Sequence, residues 1–264
     1  MNIVILVKQI PDIEKNIKIT VDSKSNNINR QGVPSIMNPA DKNALEFALQ
    51  MKDKFEARLT VISMGPMQAK EVLKEALSLG ADEAFLVSDR VFAGSDTLWT
   101  SLVLEKAIQS LPYQTDYIFC GHQALDGDTG QVGPGVAARL HLPQWIHLRQ
   151  LLQIHPDHLI AERYFDGFRE CIEIRPPALL AFVKNSNTPR LPSLRKLFSS
   201  QEAKINLVTN KDLLIPDEFL GINGSPTRVM KTFKIELDKT LIKCHMEQGS
   251  EMFQSILSKI GEVK

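Results

Sequence analysis

The chain offers no disulfide framework: its three cysteines, Cys120, Cys171 and Cys244, are odd in number and far apart. That usage suits a reducing compartment. It has no excess of either charge, with 31 acidic and 31 basic residues, so bulk electrostatics give no case for nucleic acid or a membrane surface as partner. No apolar run is long enough to span a bilayer, and the opening stretch, MNIVILVKQI, lacks the basic start of an export signal. It is the expected first core strand of a cytoplasmic protein without membrane insertion. Signatures of catalysis and metal binding are missing as well. HPDH spaces His155 and His158 three apart, but its proline breaks the helix that would align them and no acid or cysteine completes a set. There is no nucleophile elbow, no G-x-G-x-x-G and no P-loop lysine. No catalytic side chain and no metal site are therefore assigned.

What is present is alternation. At 264 residues the chain can bury a substantial core, as one larger domain with an appendage or as two small ones. Ile3 to Val7, Leu59 to Met64, Ala84 to Val87 and Tyr117 to Cys120 are short, partly β-branched runs of the kind buried on both faces of a parallel sheet. Between them run helical stripes: Ala69, Val72, Leu73, Ala76 and Leu77, then Leu104, Ala107, Ile108 and Leu111. Asn38-Pro39 has the form of an N-cap followed by proline at the first helical position, opening a helix that carries Ala44, Leu45, Ala48 and Leu49. Repeated β-α units predict an α/β fold with a doubly wound, mostly parallel sheet.

Ligands of such sheets sit at the carboxyl ends of the strands. The loops that fall there are KQIPD, SMGPMQ, FAGSDT and GHQALDGDTGQVG. The last is the most loaded, because positions 121 to 135 hold five of the chain's fourteen glycines. Glycine permits positive φ and close backbone approach, and Thr129 is placed to cap a helix with the stripe Val132, Val136, Ala137 and Leu140. Free amides at that helix start suit an anion, most often a phosphate. A tight strand-to-helix connection with no ligand explains the loop's composition about equally well. Asp126 and Asp128 read as acceptors that shape the loop rather than as an acid/base pair, since a phosphate tolerates them only if their charges are bonded away. Cys120, at the end of an apolar run, reads as packing rather than nucleophile.

After position 140 the pattern changes. LLQIH, HLIAERYF and RECIEIR read as short strands separated by polar turns, with Asp166-Gly167 as a hairpin signal, and ALLAFVK as another buried strand. An antiparallel excursion before the chain returns to the sheet is expected. Beyond Ile205 the composition is less core-like, and Met252, Phe253, Ile256, Leu257 and Ile260 form a closing helical stripe. The expected division is a nucleotide-binding domain at 1–204 and, at 205–264, an arm and helix that pack on a partner chain.

The runs LVKQIPD, PSIMNPADKNALEFAL, SMGPMQAKEVLKEALSLGAD, GHQALDGDTGQVGP and NTPRLPSLRKL, in that order, resemble the β subunit of electron transfer flavoproteins. The resemblance implies a flavodoxin- or universal-stress-like fold, a heterodimer with a larger α subunit, and electron exchange with a flavin-dependent dehydrogenase of acyl-CoA, enoyl-CoA or 2-hydroxyacid type. It places nucleotide contacts on Leu6, on Asn38, Pro39, Ala40 and Asp41, on Met64, and on Cys120, Gly121, Gln123, Asp126, Gly127, Asp128, Thr129, Gly130, Gln131, Val132 and Gly133. It also makes Leu194 the leucine that anchors the partner dehydrogenase, although the neighbouring residues read SLR instead of the commoner TLP. One branch of the family keeps AMP as a structural ligand and has a loop resembling DDDCNQTGQ. The electron-bifurcating branch holds FAD, and its loop resembles DGDTGQVGP with FAGSDT upstream. The second pattern is the one found here, which implies FAD that takes hydride from NADH and divides its electrons between ferredoxin or flavodoxin and the α-subunit FAD, or the reverse. AMP is the alternative.

Overall fold

A computed structural model of the protein describes residues 1–12, 34–227, 229–230, 253–254 and 257. The chain opens with β1 (Asn2–Leu6), then β2 (Gln9–Pro11) and β3 (Ser35–Met37), which pair with each other as a small antiparallel ribbon. There follow α1 (Pro39–Phe55), β4 (Arg58–Met64), α2 (Lys70–Leu79), β5 (Glu83–Val87), α3 (Thr97–Gln109), β6 (Tyr117–Gly121) and α4 (Val132–Arg139). Next come β7 (Gln144–Ile154), β8 (Leu159–Phe165), β9 (Phe168–Ile174), β10 (Ala178–Phe182), α5 (Leu194–Gln201), β11 (Asn206–Val208) and the single turns α6 (Asn210–Leu213) and α7 (Gly221–Gly224).

The expected α/β sheet is present. Nine strands lie in the order β11-β5-β4-β1-β6-β10-β7-β8-β9; neighbours from β11 to β7 are parallel, and β8 and β9 are antiparallel additions. From β1 the chain steps outward to β4 and β5, then restarts on the other side with β6 and β10. The centre β5-β4-β1-β6 is the 3-2-1-4 order of dinucleotide-binding sheets, with β10 inserted between β6 and β7, and the 2-1-3-4-5 order of flavodoxins is not the one found. The reversal puts a crevice at the carboxyl ends of β1 and β6.

Each central strand is apolar on both faces because each face is covered. One layer packs Ala44, Leu45, Ala48 and Leu49 of α1 and Val72, Leu73 and Ala76 of α2 against Ile3, Ile5, Leu59, Val61 and Phe119. Within it Phe182 stacks on Phe47 at 4.6 Å and meets the edge of Phe119 at 5.1 Å. The other layer packs Val103, Leu104, Ala107 and Ile108 of α3 and Val136 and Ala137 of α4 against Val4, Ile62, Ile118 and Leu179. Each fully buried side chain of this size contributes about 1.5–3 kcal/mol, so the two-sided sheet is the main source of stability.

The excursion runs further than LLQIH suggests: β7 begins at Gln144 and carries a bulge, where Ile146 and His147 together face Ala181 of β10. Asp166 and Gly167, both at positive φ, turn β8 into β9 between the paired Phe165 and Phe168. β11, just beyond the expected 204/205 division, pairs in parallel with β5 and is part of the nine-stranded sheet. Of the closing stripe, Phe253 and Leu257 are helical and exposed, and Met252, Ile256 and Ile260 lie outside the described residues.

Candidate functional site

At the crevice Asp41 links the two central strands. One turn into α1, its Oδ2 accepts from the Lys8 amide at 2.8 Å and its Oδ1 from the Gly121 amide at 2.9 Å. Lys8 lies just beyond β1 and Gly121 ends β6, so a single carboxyl group ties the two sides of the switch point. Burial drives its pKa up from the usual 3.8 to about 6, against the lowering effect of Asn38, of these amides and of the Lys8 charge. Only glycine fits at 121, because a Cβ there would stand 2.3 Å from Asp41 Oδ1 and 2.8 Å from both Ala40 Cβ and the Asp41 amide nitrogen.

Asn38 holds the N-cap position of α1 ahead of Pro39, as its sequence position suggests, yet its side chain does not cap the helix. The carboxamide turns outward, donating from Nδ2 to the Gln123 carbonyl at 3.0 Å and accepting the Leu125 amide at Oδ1. The start of α1 thereby carries the glycine-rich loop. Across the crevice Lys8 Nζ meets Asp126 Oδ1 at 2.7 Å, and Gln123 Nε2 donates to Asp128 Oδ1. Both loop carboxylates act as shaping acceptors, Asp126 towards the Lys8 ammonium and Asp128 towards the Gln123 carboxamide. Each carboxylate thus has a side-chain donor.

The turn itself leaves main-chain donors open. Asp128 and Gly130 are left-handed, at φ 51° and 62°. Thr129 does not cap the helix; Gln131 occupies the cap position without a side-chain capping bond, and its Oε1 accepts the Thr97 hydroxyl at 2.8 Å. Among the described residues, the amides of Thr129, Gly130, Gln131, Val132 and Gly133 donate to no protein acceptor. Consecutive free amides entering a helix are the donor set that binds phosphate. Gly127 stands open, with nothing nearer to its Cβ position than Lys8 Nζ at 3.9 Å. Gly133 packs on Cys120, whose Sγ would lie 2.9 Å from an added Cβ; burial pushes that thiol's pKa well up, in keeping with a packing role.

Leu6 and Met64 end their strands at the same edge of the sheet. A small cleft there is lined by Lys8, Ile10, Met64, Gly65, Pro66 and Ala69. The predicted contacts from four separate stretches of chain therefore gather along one crevice: β1's end, α1's start, β4's end and the loop after β6. Leu194 lies away from it. It opens α5 behind the Ser193 cap and is 74% exposed, with Leu191 at 89% and Phe198 at 73% beside it in sequence.

A model of the electron transfer flavoprotein domain matches residues 25–213. The chain belongs to the electron transfer flavoprotein family, as a β subunit. It is 46% identical over 233 residues to the electron transfer flavoprotein subunit β of Thermoanaerobacterium thermosaccharolyticum, covering 88% of this chain and 87% of the relative. It is 40% identical to the caffeyl-CoA reductase-Etf complex subunit CarD of Acetobacterium woodii, with the same coverage, and 37% identical to protein FixA of Azotobacter vinelandii over 98% of this chain and 94% of that one. Membership implies an α subunit as partner, and among the described residues no helix is long and apolar enough to cross a membrane.

Two features of this electron transfer flavoprotein subunit escape the sequence. Lys8 is visible only as part of KQIPD; its place two residues beyond a central strand is the signal that could have singled it out. His122 and His147 meet with ring centroids 4.0 Å apart and planes tilted by 42°, although they are 25 residues apart in sequence. Nothing in the sequence marks His147 as a left-handed residue, which it is, at φ 60°.

Proposed function

We propose that the switch-point crevice holds FAD, and that the subunit works in flavin-based electron bifurcation or its reverse. The supporting observation is the run of free amides at 129–133 beside carboxylates already bonded to Lys8 and Gln123. That arrangement suits the pyrophosphate of a dinucleotide lying across the sheet's reversal. In this reading FAD supplies the redox chemistry, accepting hydride from NADH and passing electrons singly to ferredoxin or flavodoxin and to the α-subunit FAD. The chain's own residues bind and orient. Asp41 fixes the crevice width, Asn38 and Lys8 hold the loop, and Gly127 and Gly130 keep Cβ atoms off the phosphate's approach. Leu194 and its exposed neighbours offer the apolar anchor for a flavin-dependent dehydrogenase, and residues 205–264 contribute to the contact with the α subunit. The relative named for a caffeyl-CoA reductase complex supports a CoA-ester reductase as the dehydrogenase served. Work on NADH and reduced carriers agrees with a cytoplasmic setting.

The test is the cofactor count of the co-purified heterodimer. Two flavins released per heterodimer are expected; one flavin and one AMP would return the site to a structural nucleotide.

A further inference from the structure

The crevice does not end at the glycine-rich loop. Beyond Gly130, whose Cβ position is 3.5 Å from His122 Cε1, the His122 ring rests on His147, and His147 faces Phe165 at 5.8 Å. These three rings come from the end of β6, the bulge of β7 and the end of β8. His147 reaches its place only through a left-handed φ, which a non-glycine residue holds at a cost of about 1–3 kcal/mol. The β7 bulge carries that strain, and among the described residues no hydrogen bond of the His147 side chain is served by it. His122 Nδ1 is buried without a hydrogen-bond partner among the described residues. Burial and the neighbouring His147 hold the His122 pKa down, which disfavours a charge on that ring, and the two imidazole planes meet at 42°. Phe165 remains 42% exposed and is braced by Arg163, whose guanidinium sits 4.9 Å over its ring and is itself paired with Glu170 at 2.6 Å.

We propose that His122, His147 and Phe165 form the seat of the second ring system of a dinucleotide whose phosphates lie on the 129–133 amides. The seat is continuous with the loop. It lies on the β6-β10-β7 side of the reversal, opposite the Met64 cleft on the β1-β4 side, and doubly wound sheets bind the two halves of a dinucleotide on either side of such a reversal. Imidazole and phenyl faces suit a planar heteroaromatic ring, and a mononucleotide is too short to use them. The inference rests on the nucleotide reading above and adds the feature that separates FAD from AMP within it.

The experiment measures FAD and AMP affinities of the apo heterodimer by titration, for the wild type and for His147→Ala, Phe165→Ala and Phe165→Leu. Loss of a stacking partner should weaken FAD at least about tenfold in both alanine variants, with AMP affinity unchanged and a smaller loss for Phe165→Leu. Unchanged AMP binding also certifies that the variants fold. FAD bound by both alanine variants as tightly as by the wild type, or FAD and AMP weakened alike, overturns the seat and leaves the nucleotide reading standing. A wild-type complex that binds AMP but not FAD overturns it too. One that binds neither sinks both readings.

Discussion

Asp41 sets the site's chemistry at the scale of single residues, and its titration has a definite sign. The folded protein holds its pKa near 6 against an ordinary 3.8, so the folded state binds the proton more tightly than the unfolded chain does. Its contribution to stability is then greatest below about pH 4, declines as pH rises to about 6 and is flat above that, a span of roughly 3 kcal/mol. Asp41→Asn should remove this slope from urea midpoints measured between pH 4 and 7. At neutral pH two effects oppose each other in that variant, since a buried charge is relieved while an amide group must face the amide of Lys8 or Gly121; the slope is therefore the diagnostic quantity. An undiminished slope would assign the titration to another group. Glycines give a paired contrast. Gly121→Ala drives a methyl into Asp41 and Ala40 and should destabilise by at least about 2 kcal/mol. Gly127→Ala meets open space, so its stability should stay within about 0.5 kcal/mol of wild type while nucleotide retention falls. Denaturation curves and cofactor release on the same two variants check both halves.

At the scale of elements, α1 joins the site to the exposed arm. Its first turn carries Asn38 and Asp41; further along the helix, Asn43 binds Asn185 and Asn187, and buried Glu46 accepts from Arg190 at the main-chain N, Nε and Nη2. Asp53 takes the remaining reach of the guanidinium at 2.8 Å. Arg190→Ala strands the Glu46 carboxylate. Because Arg190 is partly exposed, the expected loss is about 2 kcal/mol, below the 3–5 of a fully buried pair, with faster amide exchange at 185–191 as the local readout. Arg190→Lys should recover only part, since an ammonium cannot match the two-pronged contact. Elements of this sort differ in how well the sequence announces them. The central strands and α1 to α3 are legible because both-face burial and the 3.6-residue stripe write directly into composition. The first half of β7 is not, because the bulge at Ile146-His147 breaks its alternation, and β11 is hidden because three residues at a sheet edge carry no periodicity. The crevice was legible as a set of strand-end loops. Its side-chain wiring was not, since Asn38 and Thr129 obey local capping rules that long-range partners override.

On the scale of the whole molecule, the site draws on both halves of the sheet, which Asp41, Asn38 and the Lys8–Asp126 pair connect at the open end. A ligand seated there binds the folded chain and has no comparable site on the unfolded one, so occupancy must stabilise the fold through mass action. At a hundredfold excess over Kd the gain is about 2.7 kcal/mol, which for a domain of this size raises Tm by roughly 5–10 °C. AMP and FAD share the phosphate donors and should both produce a shift, each scaled by its own Kd. Lys8→Met leaves the buried Asp126 carboxylate without its ammonium partner beside the incoming phosphate. It should therefore shrink the ligand-induced shift for both nucleotides, more than it lowers the Tm of the ligand-free protein. Scanning the wild type and this variant with and without each nucleotide separates the terms. A variant whose ligand shift equals the wild type's would show that the ion pair shapes the loop without easing the anion's approach.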